Sequence, residues 1–436
     1  MYKNIIFLTL VKYIKHSSFL TNMQRQLLAQ VLLEQREYFE KKQSFIPRTI
    51  PHNLLTTKKI VVLSGIRRSG KSVLLQQIKK TLNKEYYYVN FEDERLLEFT
   101  HKDFNLLLEV FIELFGEQKI FFFDEIQNIK GWEKFVRRLY EDGNKIFVTG
   151  SNATLLSSEL ATTLTGRQLT HKVYPFSFQE ILTHNNISYT STLTTKQKSV
   201  IKKLFDQYVQ LGGFPEVVIS KDKEELRQLY QDILIKDLLV RFKIREEKTF
   251  REFVLFLLSN IGKKISFNKI KNLLELKSTT SVKNYVQFLE ETYLLFTITK
   301  YDFSIKKQII NDKKIYAIDT GLINSVSFAF SKNSGRILEN IVYLQLLRNN
   351  KETYYFSQKN ECDFLIKEGL KITQAIQVTH TLQDKLTRKR EIQGLLDAMT
   401  TYKLQEGLIL TDDEEETIQE EGITIQVRPV WKWLLD

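Results

Sequence analysis

The apolar positions along the chain change period several times, and each change marks a new element. Ile60–Ser64 (IVVLS) is a short β-branched run of the buried-strand kind, and it stops at Gly65. Over Ser72–Leu82 the apolar residues Val73, Leu74, Leu75 and Ile78 fall at helical spacing. Tyr86–Phe91 (YYYVNF) predicts a second strand and Phe104–Phe115 a helix. Lys119–Phe123 (KIFFF) predicts a third strand, Trp132–Tyr140 a helix and Lys145–Thr149 (KIFVT) a fourth strand. Strands alternating with helices imply a parallel sheet covered on both faces, with ligands at the carboxyl ends of its strands. After Pro175–Ile181 the pattern is helical to about residue 258, broken at Gly212-Gly213-Phe214-Pro215. Ile265–Phe296 predicts three short helices leading into a strand. In its middle, Ser278 to Ser281 offer caps, and Val282, Tyr285, Val286 and Leu289 an inward face, as in the second half of a helix-turn-helix. A helix from Leu338 leads to strands at Thr353–Phe356, Cys362–Ile366 and Ala375–Val378, then a last helix and a strand at Leu408–Leu410.

The first of these strand ends carries chemistry. Gly65-Ile66-Arg67-Arg68-Ser69-Gly70-Lys71-Ser72 fits G-x-x-x-x-G-K-[ST] between a predicted strand and a predicted helix that continues through Val73. Glycines at those positions let backbone N–H groups turn inward and cradle phosphate at a helix N-terminus. Lys71 would bridge the β- and γ-phosphates of ATP, and Ser72 would place its hydroxyl on Mg²⁺. The third strand delivers Asp124 to the magnesium shell and Glu125 to the attacking water, as its orienter or base. Asn152, after the fourth strand, is a candidate sensor of the γ-phosphate, although Gly150-Ser151-Asn152 is also ordinary turn chemistry. Arg167 is either an arginine finger acting on a neighbouring subunit's phosphate or a surface salt-bridge residue.

Composition bounds what surrounds this site. A chain of 436 residues exceeds one ordinary core, so two to four domains are expected. Its 42% apolar and 27% charged residues are those of a soluble globular protein. The net charge of +12 suits a polyanionic partner such as nucleic acid, or reflects a lysine-rich bias. A single cysteine, Cys362, allows no internal disulfide and points to a reducing cytoplasm. No stretch approaches the ~20 apolar residues of a membrane span. Ile5–Val11 mimics the start of a signal peptide but lacks a small-residue cleavage site, so Met1–Thr21 reads as a loosely held extension, with Met23 an alternative start.

In this order and at these spacings, GIRRSGKS, FFFDEIQNIKGWEKFVRRLY, VTGSNATLLSSEL, TGR and PFSFQEIL resemble the AAA-type "ATP-binding protein" family of bacteria and archaea. Gly212-Gly213-Phe214-Pro215-Glu216 and Asp319-Thr320-Gly321-Leu322 match it too, and the resemblance runs from about Pro47 to the end. It implies an α/β architecture: a P-loop NTPase parallel sheet with a helical lid, a winged-helix-like segment and an α/β nuclease-like C-terminal domain. The expected boundaries are 1–45 for an N-terminal helical extension, 46–185 for the ATPase core, 186–258 for the lid, 259–320 for the winged-helix-like segment and 321–436 for the nuclease-like domain.

Restriction-nuclease-like cores place a helix Glu, a strand Asp and a Glu/Gln-x-Lys pair so that the acids hold Mg²⁺ and the lysine supports the attacking water. This chain offers Glu339, Asp363 and Gln377, but Thr379 stands at the lysine's position, so DNA binding or protein contact is expected there and cleavage is not. Lys263, Lys264, Lys269, Lys271, Lys277 and Lys283 crowd the helix-turn-helix region, with Lys306, Lys307, Lys313 and Lys314 following. They would neutralise the phosphates of duplex DNA, or form a solvated face. The expectation is an oligomerising ATPase acting on or near DNA. The alternative is a nucleotide-gated signalling or scaffold protein.

Overall fold

The computed structural model describes residues 24–41, 46–151, 164–190, 192–326, 334–420 and 422–436, so the expectation for Met1–Thr21 falls outside the described residues. The chain forms two compact units: residues up to Gly65 with Gly70–Val173, and Ile66–Ser69 with Tyr174–Asp436.

The first unit is built on five parallel strands: β1 (Ile60–Ser64), β2 (Tyr87–Asn90), β3 (Ile120–Asp124), β4 (Lys145–Gly150) and β5 (Gln168–Lys172). Their spatial order is β2-β3-β4-β1-β5. Alternate residues of the apolar runs feed two cores, one on each face. Val61, Leu63, Phe122 and Phe147 meet the helix Lys71–Leu82 through Leu74, Leu75 and Ile78. Ile60, Val62, Phe121, Phe123 and Val148 face the other way, where the helix over residues 24–40 adds Leu28, Val31 and Leu32. Burying a Phe of this kind is worth about 1.5–3 kcal/mol, which is why Ile120–Phe123 has no polar position before Asp124 ends the strand. The fifth strand, QLTHK, is partly exposed along its length and gives no apolar run to read.

The second unit begins with two capping boxes, Ser177 with Glu180 and Thr194 with Gln197, which start the helices Phe178–His184 and Thr195–Leu211. The helix Lys223–Asp232 runs on into a π-helical stretch, Ile233–Val240, and the helix Glu247–Leu258 follows. Next come β6 (Lys264–Ile265), the helices Phe267–Leu273 and Thr279–Glu291, β7 (Leu295–Thr299) and β8 (Lys313–Ala317), with the strands antiparallel in the order β6-β8-β7. Two helices, not three, occupy Ile265–Phe296, because the first segment is a strand too short to carry a period. Ser278 caps the second helix by accepting from the Ser281 N–H at 3.1 Å, and Val282, Val286 and Leu289 are buried.

A mixed six-stranded sheet completes the chain. Its strands are β9 (Glu352–Ser357), β10 (Glu361–Glu368), β11 (Lys371–Val378), β12 (Glu406–Thr411), β13 (Glu416–Glu420) and β14 (Ile423–Pro429), in the order β13-β14-β12-β11-β10-β9. The helix Lys385–Tyr402 buries Leu395, Ala398 and Met399 in its core, beside Cys362. Among the described residues, no helix is long and apolar enough to cross a membrane.

Two of the sequence motifs meet each other inside this unit. Buried Asp319 accepts hydrogen bonds from the Gly213 N–H at 2.7 Å and the Leu322 N–H at 3.2 Å. Burial pushes its carboxyl up to about 6, against the pull of those N–H groups. Gly212 sits at φ +73°, where a Cβ would lie 1.9 Å from Asp319 Oδ1. Asp-Thr-Gly-Leu and Gly-Gly-Phe-Pro-Glu are thus two halves of one structural joint.

Candidate nucleotide site

β1 and β3 flank β4 and run parallel to it, so the glycine-rich loop and the acidic pair leave the same edge of the sheet. At the end of the loop, Gly70 has φ +93° and turns the chain into the helix Lys71–Leu82. Lys71, only 4% exposed, donates from Nζ to the Gly65 carbonyl at 3.2 Å and stands 3.5 Å from Glu125 Oε1. Glu125 holds φ +50°, a left-handed conformation that costs a carboxylate residue on the order of 1–3 kcal/mol and is characteristic of functional sites. Gln127 donates to its other oxygen, Oε2.

Asp124 is 1% exposed, with Tyr88 Oη 3.4 Å away and the hydroxyls of Thr149 and Ser72 donating to it. Burial pushes its carboxyl up and the neighbouring Glu125 adds to that push, while the Thr149 and Ser72 hydrogen bonds and the Lys71 charge pull it back. A buried carboxylate flanked by a serine hydroxyl is the oxygen-rich donor set that Mg²⁺ prefers, and the cation's charge would offset the cost of ionising it. The residues therefore fit a magnesium nucleotide.

Thr149 was not singled out from the sequence. At the end of β4 it donates to Asp124 and accepts the Glu125 N–H at 2.9 Å, so it fixes both acids at once. The β3–β4 register, in which Phe123 faces Val148, is what brings it there, and the local sequence carries no sign of that pairing. Asn152 lies outside the described residues.

The other expected residues stand as follows. Ile66 is buried and Val73 partly so. Arg67 donates from Nε to Asp237 Oδ2 at 2.8 Å, and Arg68 reaches Glu216 at 2.7 Å and Asp232 at 3.2 Å. Both guanidinium groups are thereby engaged by carboxylates of the helical segment. The Arg167 carbonyl accepts from the Ile60 N–H at 2.9 Å, which puts Arg167 beside the start of β1. Five strand residues, or roughly 16 Å, separate that edge from the glycine-rich loop, and its Nη2 stands 4.0 Å from Glu141. The fold does not bring Arg167 to the loop of its own chain.

In the second unit, Lys277 is 85% exposed and pairs with Glu246 at 3.1 Å, and Lys283 is exposed nearby. Lys314 corrects the expectation of a basic surface there. It points inward from β8, with Nζ 2.7 Å from Asp363 Oδ1, 2.8 Å from Glu361 Oε1 and 3.0 Å from Glu339 Oε1. Gln377 accepts from the Asp363 N–H at 3.1 Å and donates to Glu391. The Thr379 hydroxyl donates instead to the Thr381 carbonyl at 3.3 Å. Glu339, Asp363 and Gln377 do converge, joined by Glu361 and Glu391, which the sequence did not single out.

A family model described as an AAA domain matches residues 57–182, and one described as a domain of unknown function (DUF8612) matches 202–333. The uncharacterized protein MJ1544 of Methanocaldococcus jannaschii is 36% identical over 429 residues, 94% of this chain and 95% of that one. An uncharacterized protein of Haemophilus influenzae is 32% identical over 392 residues, 86% of this chain and 94% of that one. Among solved structures, the Thermotoga maritima RuvB Holliday junction branch migration motor aligns at 13% identity and a TM-score of 0.27, covering 55% of this chain and 81% of that one. The last likeness adds nothing to the reading of the site.

Proposed function

The chain belongs to the prokaryotic family that joins an AAA-type P-loop ATPase domain to a domain of unknown function, and from that premise we propose that it hydrolyses ATP with Mg²⁺ and acts at duplex DNA. The observation that carries the proposal is the meeting of Lys71 and Glu125 at 3.5 Å beside buried Asp124. Lys71 and the backbone N–H groups of the loop hold the β- and γ-phosphates. Ser72 and Asp124 would hold Mg²⁺, which would supply positive charge to neutralise the departing phosphoryl group. Glu125, its Oε1 3.5 Å from Lys71, orients a water and takes its proton. Thr149 keeps the two acids in register for their separate tasks.

Arg167 has a place in this scheme only through a neighbouring copy, because it sits at the far edge of its own sheet. Arg167→Ala is expected to keep nucleotide affinity and to lose turnover by up to ~10³-fold. Adding a Lys71→Ala protein, which still carries Arg167, should restore part of the rate. A variant with undiminished turnover returns Arg167 to an ordinary surface role.

Contact with DNA is assigned to a winged-helix-like arrangement around the helix Thr279–Glu291 and its exposed Lys277 and Lys283. Lysine contacts to phosphate carry no base information, so binding should be weak in sequence preference and steep in salt, with a log–log slope near −0.9 per phosphate neutralised. Lys277→Ala with Lys283→Ala should make that slope shallower by about 1–2 units. Fluorescence anisotropy across a salt series tests this. Binding indifferent to salt, or none, would favour a nucleotide-gated scaffold instead.

A further inference from the structure

After the acidic pair the chain makes one 3₁₀ turn, Ile126–Asn128. Ile126 and Ile129 lie three residues apart, so they share one side of such a turn, and both are buried in the core that holds Phe123. The turn is closed by the Asn128 N–H, which donates to the Glu125 carbonyl at 3.2 Å, and by the Ile129 N–H, which donates to the Ile126 carbonyl at 3.0 Å. Asn128 Nδ2 fastens it to the Phe91 carbonyl, just past β2, at 3.1 Å. With the isoleucines anchored below, Gln127 reaches back over the acids, and its Nε2 donates to Glu125 Oε2.

Two donors thus reach the Glu125 carboxylate, one at each oxygen: the Lys71 ammonium faces Oε1 at 3.5 Å, and Gln127 donates to Oε2. They differ in how ATP affects them. Lys71 is the group that the β- and γ-phosphates claim, so its hold on Oε1 weakens when nucleotide arrives. A neutral amide is far less drawn to phosphate, and its bond to Oε2 persists. The other end of the same amide has no packing purpose. Gln127 Oε1 is buried and has no hydrogen-bond partner among the described residues. An acceptor in that state destabilises the fold, and an apolar side chain would avoid the cost. Turning the amide over would not help, because it would set a carbonyl oxygen against the carboxylate.

We propose that Gln127 is a positioning residue for hydrolysis, which keeps the Glu125 carboxylate aimed once nucleotide has drawn Lys71 away. Oε2 is the anchored oxygen, and Oε1, released by Lys71, is the one that meets the water and takes its proton. A carboxylate anchored at one oxygen holds the other within reach of the water, whereas an unanchored one spends most of its time turned elsewhere. The inference rests on the reading of Glu125 as the base, and goes beyond it by giving the two oxygens separate tasks.

Two variants of the full chain test this, and thermal melts show which of them is folded. Gln127→Leu removes the donor together with the orphaned acceptor, and Gln127→Glu keeps the length but cannot donate when ionised. In each, kcat for ATP should fall by roughly 10- to 100-fold, the scale of a misplaced catalytic group. ATP affinity by calorimetry should stay within about twofold of the wild type. A double-mutant cycle then separates positioning from a merely structural role. In Glu125→Gln there is no base left to aim, so adding Gln127→Leu should lower the residual rate by less than about twofold. A further loss as large as that of Gln127→Leu alone would show that the two residues act independently, and would overturn the inference. So would a wild-type kcat in a folded Gln127→Leu or Gln127→Glu protein, while Glu125→Gln still loses turnover. Wild-type turnover in Glu125→Gln would instead remove the base itself, and this inference with it.

Discussion

Lys71→Ala should lose ATP binding and ATP turnover together. The side chain is buried in the crook of its own loop, donating to the Gly65 carbonyl and facing Glu125, and no other lysine of the loop can replace it. A charge-assisted contact of this kind is worth roughly 2–3 kcal/mol, or about 30- to 150-fold in Kd. The measurement is nucleotide affinity by calorimetry on a variant whose thermal melt shows it to be folded. ATP affinity within about twofold of the wild type would remove the loop from the account.

The second large effect separates holding from chemistry. Glu125→Gln keeps the size of the side chain and its polarity, but the amide cannot take a proton. Turnover should fall by roughly 10²–10⁴-fold, the range for a lost general base, while ATP affinity stays near that of the wild type. Asp124→Asn should behave differently. It disturbs the carboxylate that accepts from Thr149 and Ser72, so any loss there should depend on Mg²⁺ concentration. A Glu125→Gln protein that turns ATP over at the wild-type rate would show that another residue activates the water.

How far the sequence alone could go is visible in where it stopped. β1, β3 and β4 were legible because the middle of a parallel strand buried on both faces has to be apolar, as Ile60–Leu63, Ile120–Phe123 and Ile146–Val148 are. The glycine-rich loop was legible because its residues are contiguous. β5 was not, since a partly exposed strand such as QLTHK has neither a run nor an alternation. β13 was hidden by the acidic run Asp412–Glu416 that leads into it. Thr149 required the register between two strands, which no local pattern encodes. Lys314 reads in sequence as one more lysine in a lysine-rich stretch. Only the convergence of β8 with β10 and the helix Ser334–Arg348 shows it to be buried among acids. The motifs Gly-Gly-Phe-Pro-Glu and Asp-Thr-Gly-Leu could be matched to a family from sequence, but their reason, a glycine with no room for a Cβ beside a buried Asp319, is a fact of the fold.

The account is tested most directly by phosphate release from ATP by the intact protein, followed with Mg²⁺, after Mg²⁺ is chelated, and with duplex DNA added. It predicts steady release that needs Mg²⁺ and rises when duplex is present. Release no faster than that of the Lys71→Ala protein under every one of these conditions would contradict it.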